Sequence, residues 1–347
     1  MTSAPAFLRR LERTRDPRWD AYVQAHPEGS FFHLLGWRRV IQRGFGHRPH
    51  YLFAEREGEI CGVLPLFISG KRPFPSALVS VPLGVTGGIL ASDADAIAVL
   101  RQGARELAEQ EQLAYVEYKS EKRLFDDLPT KDDLYFVFRQ ELFGDRDKQL
   151  AAVPRKARAV LRESQRHHLR SEYTRDALEP FYDLYAASMR NLGTPMFPKA
   201  LFEACLEEFP RHCDFVVIRE AGRIIGVVMN FYYQQVMLPF FAGAVPEARD
   251  AGINNFMYWA MLETGYDLGY RTFDFGRSKA GTGAFRFKKN MGMDPIPLEY
   301  QYDLVTADAM PQINPNNPKY DRVINTWRRL PVELTKRLGP LVQRRLP

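Results

Sequence analysis

Two stretches of this sequence, 164 residues apart, carry one pattern, and that repeat constrains the fold more than any other feature. Residues 51–63 read YLFAEREGEICGV and residues 215–227 read FVVIREAGRIIGV. Each copy is an apolar run, a turn containing Gly58 or Gly222, and a second run that meets Gly62 or Gly226 four residues on. The first glycine of each pair suits the positive φ of a tight hairpin turn. The second marks a bulge or a close approach of backbone. Both copies continue through strand-like residues (79–90 and 236–244) into helical patterns at about 93–110 and 252–268. Each helix runs into a short strand, Tyr115–Tyr118 or Thr272–Phe275, where the offset is 157. Hairpin, helix and strand recurring in one order imply two similar α/β domains joined near residues 150–160.

A chain of 347 residues can bury two cores. No apolar run reaches the ~18 residues of a membrane span, and the N-terminal segment MTSAPAFLRRLERTRDPRW has no apolar h-region. A cytoplasmic protein is therefore expected, peripheral at the inner membrane face if the basic tail meets lipid. Cys61, Cys205 and Cys213 are odd in number and lack CxxC or metal spacing, so they read as reduced, buried thiols, with no metal site expected. Charge is the uneven feature. Residues 317–347 hold eight Lys/Arg against two acids, which accounts for the whole net charge of +6. A second basic run, 154–175, contains Arg155, Lys156, Arg158, Arg162, Arg166, Arg170 and Arg175. A single run reads as a solvated helix face. Two on an otherwise neutral body point to an anionic partner, either phosphates of a carrier lipid or tRNA, or a membrane surface.

In the second copy the order is hairpin, strand, helix, strand, helix (about 283–291) and strand (about 297–304). That order resembles the GNAT acetyltransferases. In that family an Arg/Gln-x-x-Gly-x-Gly/Ala loop before the corresponding helix holds the coenzyme A pyrophosphate on backbone amides, which a helix N-terminus favours. Here the position reads Arg249, Gly252 and Asn254 at that spacing, with Asn254 adding a side chain where the family has Gly or Ala. The first copy, around Ala91–Asp95, lacks the loop and keeps only the scaffold. The resemblance implies an α/β (α+β) chain of two tandem GNAT-like domains. Residues 1–155 would form a degenerate first domain, 156–305 the active one, and 306–347 a basic helical tail.

Further stretches sharpen the resemblance: FFHLLGW (31–37), NLGTP (191–195), NNFMYW (254–259), FDFGRSK (273–279), GAFRFKKNMG (283–292) and NPNNPKY (314–320). Together they resemble the FemAB-like proteins found with exosortase/PEP-CTERM and exopolysaccharide gene systems, over about residues 19–345. FemAB enzymes move an aminoacyl group from aminoacyl-tRNA to an amine of a peptidoglycan precursor. The coiled-coil arm of some tRNA-using members is missing from the sequence. The resemblance implies an N-acyltransferase acting by direct aminolysis on an amine of a cell-envelope glycan or lipid-linked precursor. Its donor substrate would be acyl-coenzyme A or aminoacyl-tRNA, with no resident cofactor. Two alternatives stand beside it. One is a coenzyme A-dependent acyltransferase of a small amine. The other is a non-catalytic double-GNAT scaffold that binds membrane or nucleic acid through its basic surfaces.

Lys288, after Phe287, resembles the Phe-Lys element that FemAB enzymes place at the transfer site, where a cation would stabilise the oxyanion of aminolysis. The alternative puts Lys288 and Lys289 on an exposed helix turn. Asp274 lies at a strand end with Arg277 and Lys279 following, so it could orient a substrate amine or accept its proton; otherwise it forms a structural ion pair with Arg277. Arg190, Asn191 and Thr194 flank the breakers Gly193 and Pro195 and would line the acceptor pocket, with Arg190 on a phosphate or carboxylate; otherwise Gly193 and Pro195 simply end a helix. Asn255, Tyr258, Arg277, Lys279 and Phe287 complete the substrate-binding set with Arg249, Gly252 and Asn254. Trp37 and His33 are one helical turn apart and so are expected to share a face; Trp37 reads as core, and otherwise as the floor of a sugar or peptide pocket. The tail is either an interfacial helix on anionic lipid or a helix docked with its basic face in solvent.

Overall fold

The computed structural model describes residues 4–13, 15–71, 74–249, 252–311 and 321–346, without the side chains of Gln165 and Arg249. The motif at 314–320 and residues Asp250 and Ala251 lie outside these. Contacts divide the chain into two compact units, Met1–Asp132 with Leu298–Asn316 and Pro340–Pro347, and Asp133–Pro297 with Asn317–Gly339.

The first unit opens with strand β1 (Phe7–Arg10), helix α1 (Pro17–Ala25), a 3-10 turn (Phe31–His33) and α2 (Leu35–Phe45). The hairpin β2 (Arg48–Arg56) and β3 (Glu59–Ser69) follows, then β4 (Ala77–Ser80), β5 (Leu90–Ala91), α3 (Ala94–Gln110), β6 (Tyr115–Ser120) and β7 (Thr130–Lys131). The second unit continues with β8 (Tyr135–Val137), β9 (Arg139–Glu141), α4 (Arg146–Ala151), α5 (Arg155–Gln165), β10 (Arg170–Thr174), α6 (Leu178–Leu192) and α7 (Lys199–Glu208). Its hairpin β11 (Cys213–Glu220) and β12 (Arg223–Tyr233) leads to β13 (Val236–Ala244) and a 3-10 turn (Pro246–Arg249). Then come α8 (Ile253–Gly265), β14 (Thr272–Asp274), β15 (Ser278–Lys279), α9 (Gly283–Asn290) and β16 (Ile296–Pro297). Strand β17 (Glu299–Leu304) and helices α10 (Asp321–Arg329) and α11 (Val332–Gln343) end the chain.

One sheet has the order β1-β2-β3-β4-β6-β17-β7, with β5 paired to β3, and the other β10-β11-β12-β13-β14-β9. A small sheet, β15-β8-β16, completes the second unit. In both large sheets the antiparallel ladder ends in one short parallel pair, Leu78–Val79 beside Val116–Glu117 and Val236–Met237 beside Thr272–Phe273. The shared order makes the repeat a structural one. The expected boundaries shift, however. The division falls at 132/133 instead of 155/156, and the strand expected to close the second domain, β17, pairs with β6 in the first unit. Its counterpart beside β14 is β9, a strand from the segment assigned by sequence to the first domain. The tail is likewise divided between the units at 339/340.

Both hairpin turns need their glycines. Glu57 and Gly58 have φ of 52° and 87°, and Ala221 and Gly222 have 47° and 84°. Two consecutive positive values define the hairpin turn that matches strand twist. The second glycines serve packing. The register slips by one residue at Ala54/Glu55 and at Ile218/Arg219, beside the partners of Gly62 and Gly226. A Cβ on Gly62 would lie 2.9 Å from the Leu100 side chain of α3, and one on Gly226 3.0 Å from Met257 of α8. Glycine therefore admits each helix onto its sheet. Gly243 is tighter still, since a Cβ there would come within 2.4 Å of the Tyr185 backbone nitrogen. Backbone cannot step aside as a side-chain tip can, so Gly243→Ala should cost about 3 kcal/mol. Gly222→Ala, with open space but positive φ, should cost roughly 1 kcal/mol. Urea melts of the two variants would check the difference.

Candidate active site

The second unit's sheet comes apart at β13 and β14, and the sequence of β13 shows why. Pro239 has no amide to donate. Asn230 faces Pro239 while Met229 faces Phe241, so Phe240 is an extra residue that bulges the strand. The parallel ladder with β14 stops at Met237, whereas β13 runs on to Ala244. At the end of β14, Phe275 and Gly276 turn the chain, Gly276 with φ 70°.

That turn is held by Asp274 and completed by Lys288. Asp274 accepts from the Gly276 amide through Oδ1 (2.7 Å) and from Arg139 Nε through Oδ2 (2.9 Å). The carboxylate pairs with Arg139 of β9, not with Arg277 as the sequence suggested, because β9 lies opposite β14 with Arg139 in register with Asp274. Arg277 instead places its guanidinium 4.5 Å from the centre of the Tyr135 ring. Lys288 is only 5% exposed. Its Nζ donates to the Gly276 carbonyl (2.9 Å) and lies 3.4 Å from the Arg277 carbonyl and 5.7 Å from the centre of the Phe138 ring.

A lysine points inward here because of helix geometry. Thr282 caps α9 by accepting from the Phe285 amide, and Phe285 docks edge-on against Phe136 and Phe138. Lys288 is three residues beyond Phe285 and so shares its face. Lys289, next along, is exposed. Burial pulls the Lys288 ammonium down to about 8; the nearby Asp274 charge opposes this and Arg277 adds to it.

Beneath lies an aromatic stack. Tyr258 of α8 stacks on Phe275 at 4.9 Å and tilts against Phe287 at 5.4 Å, and burial raises its phenol to about 12. Asn255, one turn earlier, donates to Met291 Sδ at 3.4 Å. Lys279 pairs in β15 with Tyr135. The structure thus brings Asn255, Tyr258, Asp274, Arg277, Lys279, Phe287 and Lys288 around one turn. It adds Arg139 and Phe138, which the sequence reading missed; the apolar run YFVF at 135–138, followed by RQE, was their only signal.

The start of α8 has Gly252 as its N-cap with φ 70° and no side-chain cap, so its first amides are free of a capping side chain. A Cβ on Gly252 would lie 2.9 Å from Val160 of α5. Asn254 is exposed on this first turn. Of the expected cation Arg249, only the backbone is described, in the 3-10 turn. Arg190 and Asn191 lie in the last turn of α6, Gly193 caps it with φ 77°, and Thr194 follows the cap. Ser188 bonds the Ala244 carbonyl, which sets this end of α6 at the far end of β13. Their neighbour is α10: Arg190 Nη1 donates to the Arg328 carbonyl at 3.2 Å, Arg328 reaches the Leu192 carbonyl, and Ile324 packs over Gly193.

The first unit fills the equivalent gap with its own chain. Past the short parallel pair, the amides of Gly87 and Gly88 both donate to the Lys119 carbonyl of β6, at 3.0 and 2.9 Å. The loop is fixed by Trp37 Nε1 on the Pro82 carbonyl, His33 Nε2 against the Gly88 carbonyl and the Tyr300 hydroxyl on the Val85 carbonyl. Val81, a β-branched residue, is forced to φ 48° at its start. Trp37 is fully buried, as a core residue should be. His33 is in the 3-10 turn, not on α2, and burial lowers its imidazole to about 4.

Comparison with known proteins adds the family context. Residues 148–289 match the acetyltransferase (GNAT) domain family. No curated protein sequence matches. Among solved structures the chain is similar to FemX, at 15% identity over 91% of this chain and all of that one, with a TM-score of 0.64. It is similar to L-PGS from Bacillus licheniformis, at 14% identity over 85% and 94% of the two chains, TM-score 0.54. A tandem GNAT protein from the clavulanic acid biosynthesis pathway matches at 14% identity over 88% and 100%, TM-score 0.52. The chain thus has a tandem GNAT-like fold, and its residues 148–289 match the acetyltransferase (GNAT) domain family.

Proposed function

We propose that the second unit transfers an acyl or aminoacyl group to an amine of a cell-envelope glycan or lipid-linked precursor, as in the FemAB-like branch the sequence resembles. The observation that carries this reading is Lys288, a buried cation with an ammonium lowered to about 8 at the turn ending β14. A group poised near the working pH is suited to charge stabilisation and proton transfer alike. The amine nitrogen attacks the donor carbonyl, forming the new C–N bond and a tetrahedral oxyanion. The Lys288 ammonium stabilises that oxygen. As the C–S or C–O bond breaks, a proton from the amine passes to the leaving thiolate or ribose oxygen, with Lys288 as relay. Asp274, with both oxygens engaged, positions the turn and does not act as the base. The gap beside β13 receives the donor, a thioester on the uncapped amides of α8 being the choice that the acetyltransferase-domain match supports. Asn191 and Thr194, at the far end of β13, face the acceptor side. The first unit, its gap filled, serves as scaffold.

A thermal-shift series on the full chain with acetyl-coenzyme A, longer acyl-coenzyme A esters and aminoacyl-tRNA tests this. A ligand at about 100 times its dissociation constant adds roughly 2.7 kcal/mol. Stabilisation by a thioester identifies a coenzyme A enzyme, and stabilisation by aminoacyl-tRNA alone identifies an aminoacyltransferase. Silence from every donor would overturn the reading in favour of a non-catalytic scaffold.

A further inference from the structure

Helix α11 carries an apolar stripe on its outer face. Leu334, Leu338, Leu341 and Val342 are 39%, 37%, 58% and 37% exposed. Their spacing, i, i+4, i+7, i+8, places all four on one side of a helix. The docked side adjoins this stripe along its Val342 edge: Thr335 and Gly339 are buried, and a Cβ on Gly339 would meet the Met196 backbone at 2.8 Å. Lys336 is held by Asp183 and Glu333 at 2.6 and 2.7 Å. So the helix is pinned by its polar and small residues and shows its large aliphatic ones. Exposed Arg337 borders the stripe beside Leu341, and exposed Arg344 and Arg345 follow it. Helix α10 repeats the combination, with Val323 65% exposed among Arg322, Arg328 and Arg329.

We infer that this outer face rests on an anionic phospholipid bilayer. Arginines alone would suit any polyanion, RNA included, but phosphate gives four exposed aliphatic side chains no partner. A lipid interface satisfies both, taking the leucines at the acyl boundary and the guanidinium groups at the headgroups. A second copy of the chain would bring like charges together, which opposes self-association through this face. Among the described residues no helix is long and apolar enough to cross a membrane, so the contact is one of surface docking.

Cosedimentation of the full chain with phosphatidylcholine vesicles, with and without phosphatidylglycerol, tests the inference. Binding should require phosphatidylglycerol and weaken as salt rises. Each arginine near an anionic surface contributes roughly fivefold. The triple variant Arg337→Gln, Arg344→Gln, Arg345→Gln should therefore lose about a hundredfold in partitioning. The pair Leu338→Gln, Leu341→Gln should lose about tenfold or more, with the unfolding temperature of both variants unchanged. Binding that falls with the arginines but not with the leucines would overturn the inference and leave a general polyanion surface. Absence of vesicle binding, or self-association abolished by the leucine pair, would overturn it as well. No outcome depends on acyl transfer, so failure here is distinguishable from failure of the proposed reaction.

Discussion

Replacing Lys288 with methionine should abolish acyl transfer, by at least about a hundredfold in kcat, and leave the protein folded. Methionine keeps the apolar stem against Phe138 and removes only the charge and its donors. Its stability cost is bounded from both sides. The Gly276 carbonyl loses its hydrogen bond, worth about 1–3 kcal/mol if left unmet. Against that, the fold lowers the lysine from 10.5 to about 8, a destabilisation of about 3 kcal/mol that the methionine variant does not carry. The two effects nearly cancel at neutral pH. The pH dependence separates them. Between pH 8 and 10.5 the unfolded chain holds the Lys288 proton and the folded one has released it, so wild-type stability should rise across that window. In the Lys288→Met variant that part of the rise should be missing. Urea unfolding at pH 7 and 10.5, paired with a transfer assay, reads both consequences.

Substitution of Asp274 should damage stability first and chemistry second. Asp274→Ala strands the Gly276 amide and leaves Arg139 without its carboxylate. With Arg139 partly exposed, the cost should be about 2–4 kcal/mol. Asp274→Asn keeps an acceptor for the Gly276 amide and should cost about half as much. The Asn variant has a further signature. The Asp274 charge holds the Lys288 ammonium up against burial, so its removal should move the alkaline limb of the pH–rate profile to lower pH. An Asp274 that itself took the substrate proton would instead remove the acidic limb and leave the alkaline one in place.

The repeat was legible because its constraints are local. A hairpin turn that needs positive φ at Gly58 and Gly222, and a helix that needs Gly62 and Gly226 to reach its sheet, both leave glycines at fixed spacing. Helices α3, α8 and α9 fall within a few residues of their expected ranges for the same reason, since periodicity and caps are written along the chain. Strand placement was not legible. β17 and β9 each sit beside a strand distant in sequence, and segments of only six and three residues carry too little pattern to choose a sheet. From that came the mistaken partner of Asp274, because Arg139 is far from it in sequence while Arg277 is adjacent. The burial of Lys288 was only half visible. Lysine is usually exposed, and the face it shares with Phe285 becomes inward only when β8 and β9 supply Phe136 and Phe138 to dock against. The filled gap of the first unit was the least accessible, since it depends on backbone donors at Gly87 and Gly88 and a strained Val81 that no side-chain pattern announces.

In the proposed reaction the second unit's parted strands take the donor, while the first unit's equivalent gap is occupied by its own loop. Amide hydrogen exchange of the full chain, with and without each acyl donor in excess, tests it most directly. New protection is expected across residues 239–244 and 253–256, with none across 81–90. Protection confined to 81–90 would contradict it, as would turnover without any change at either place.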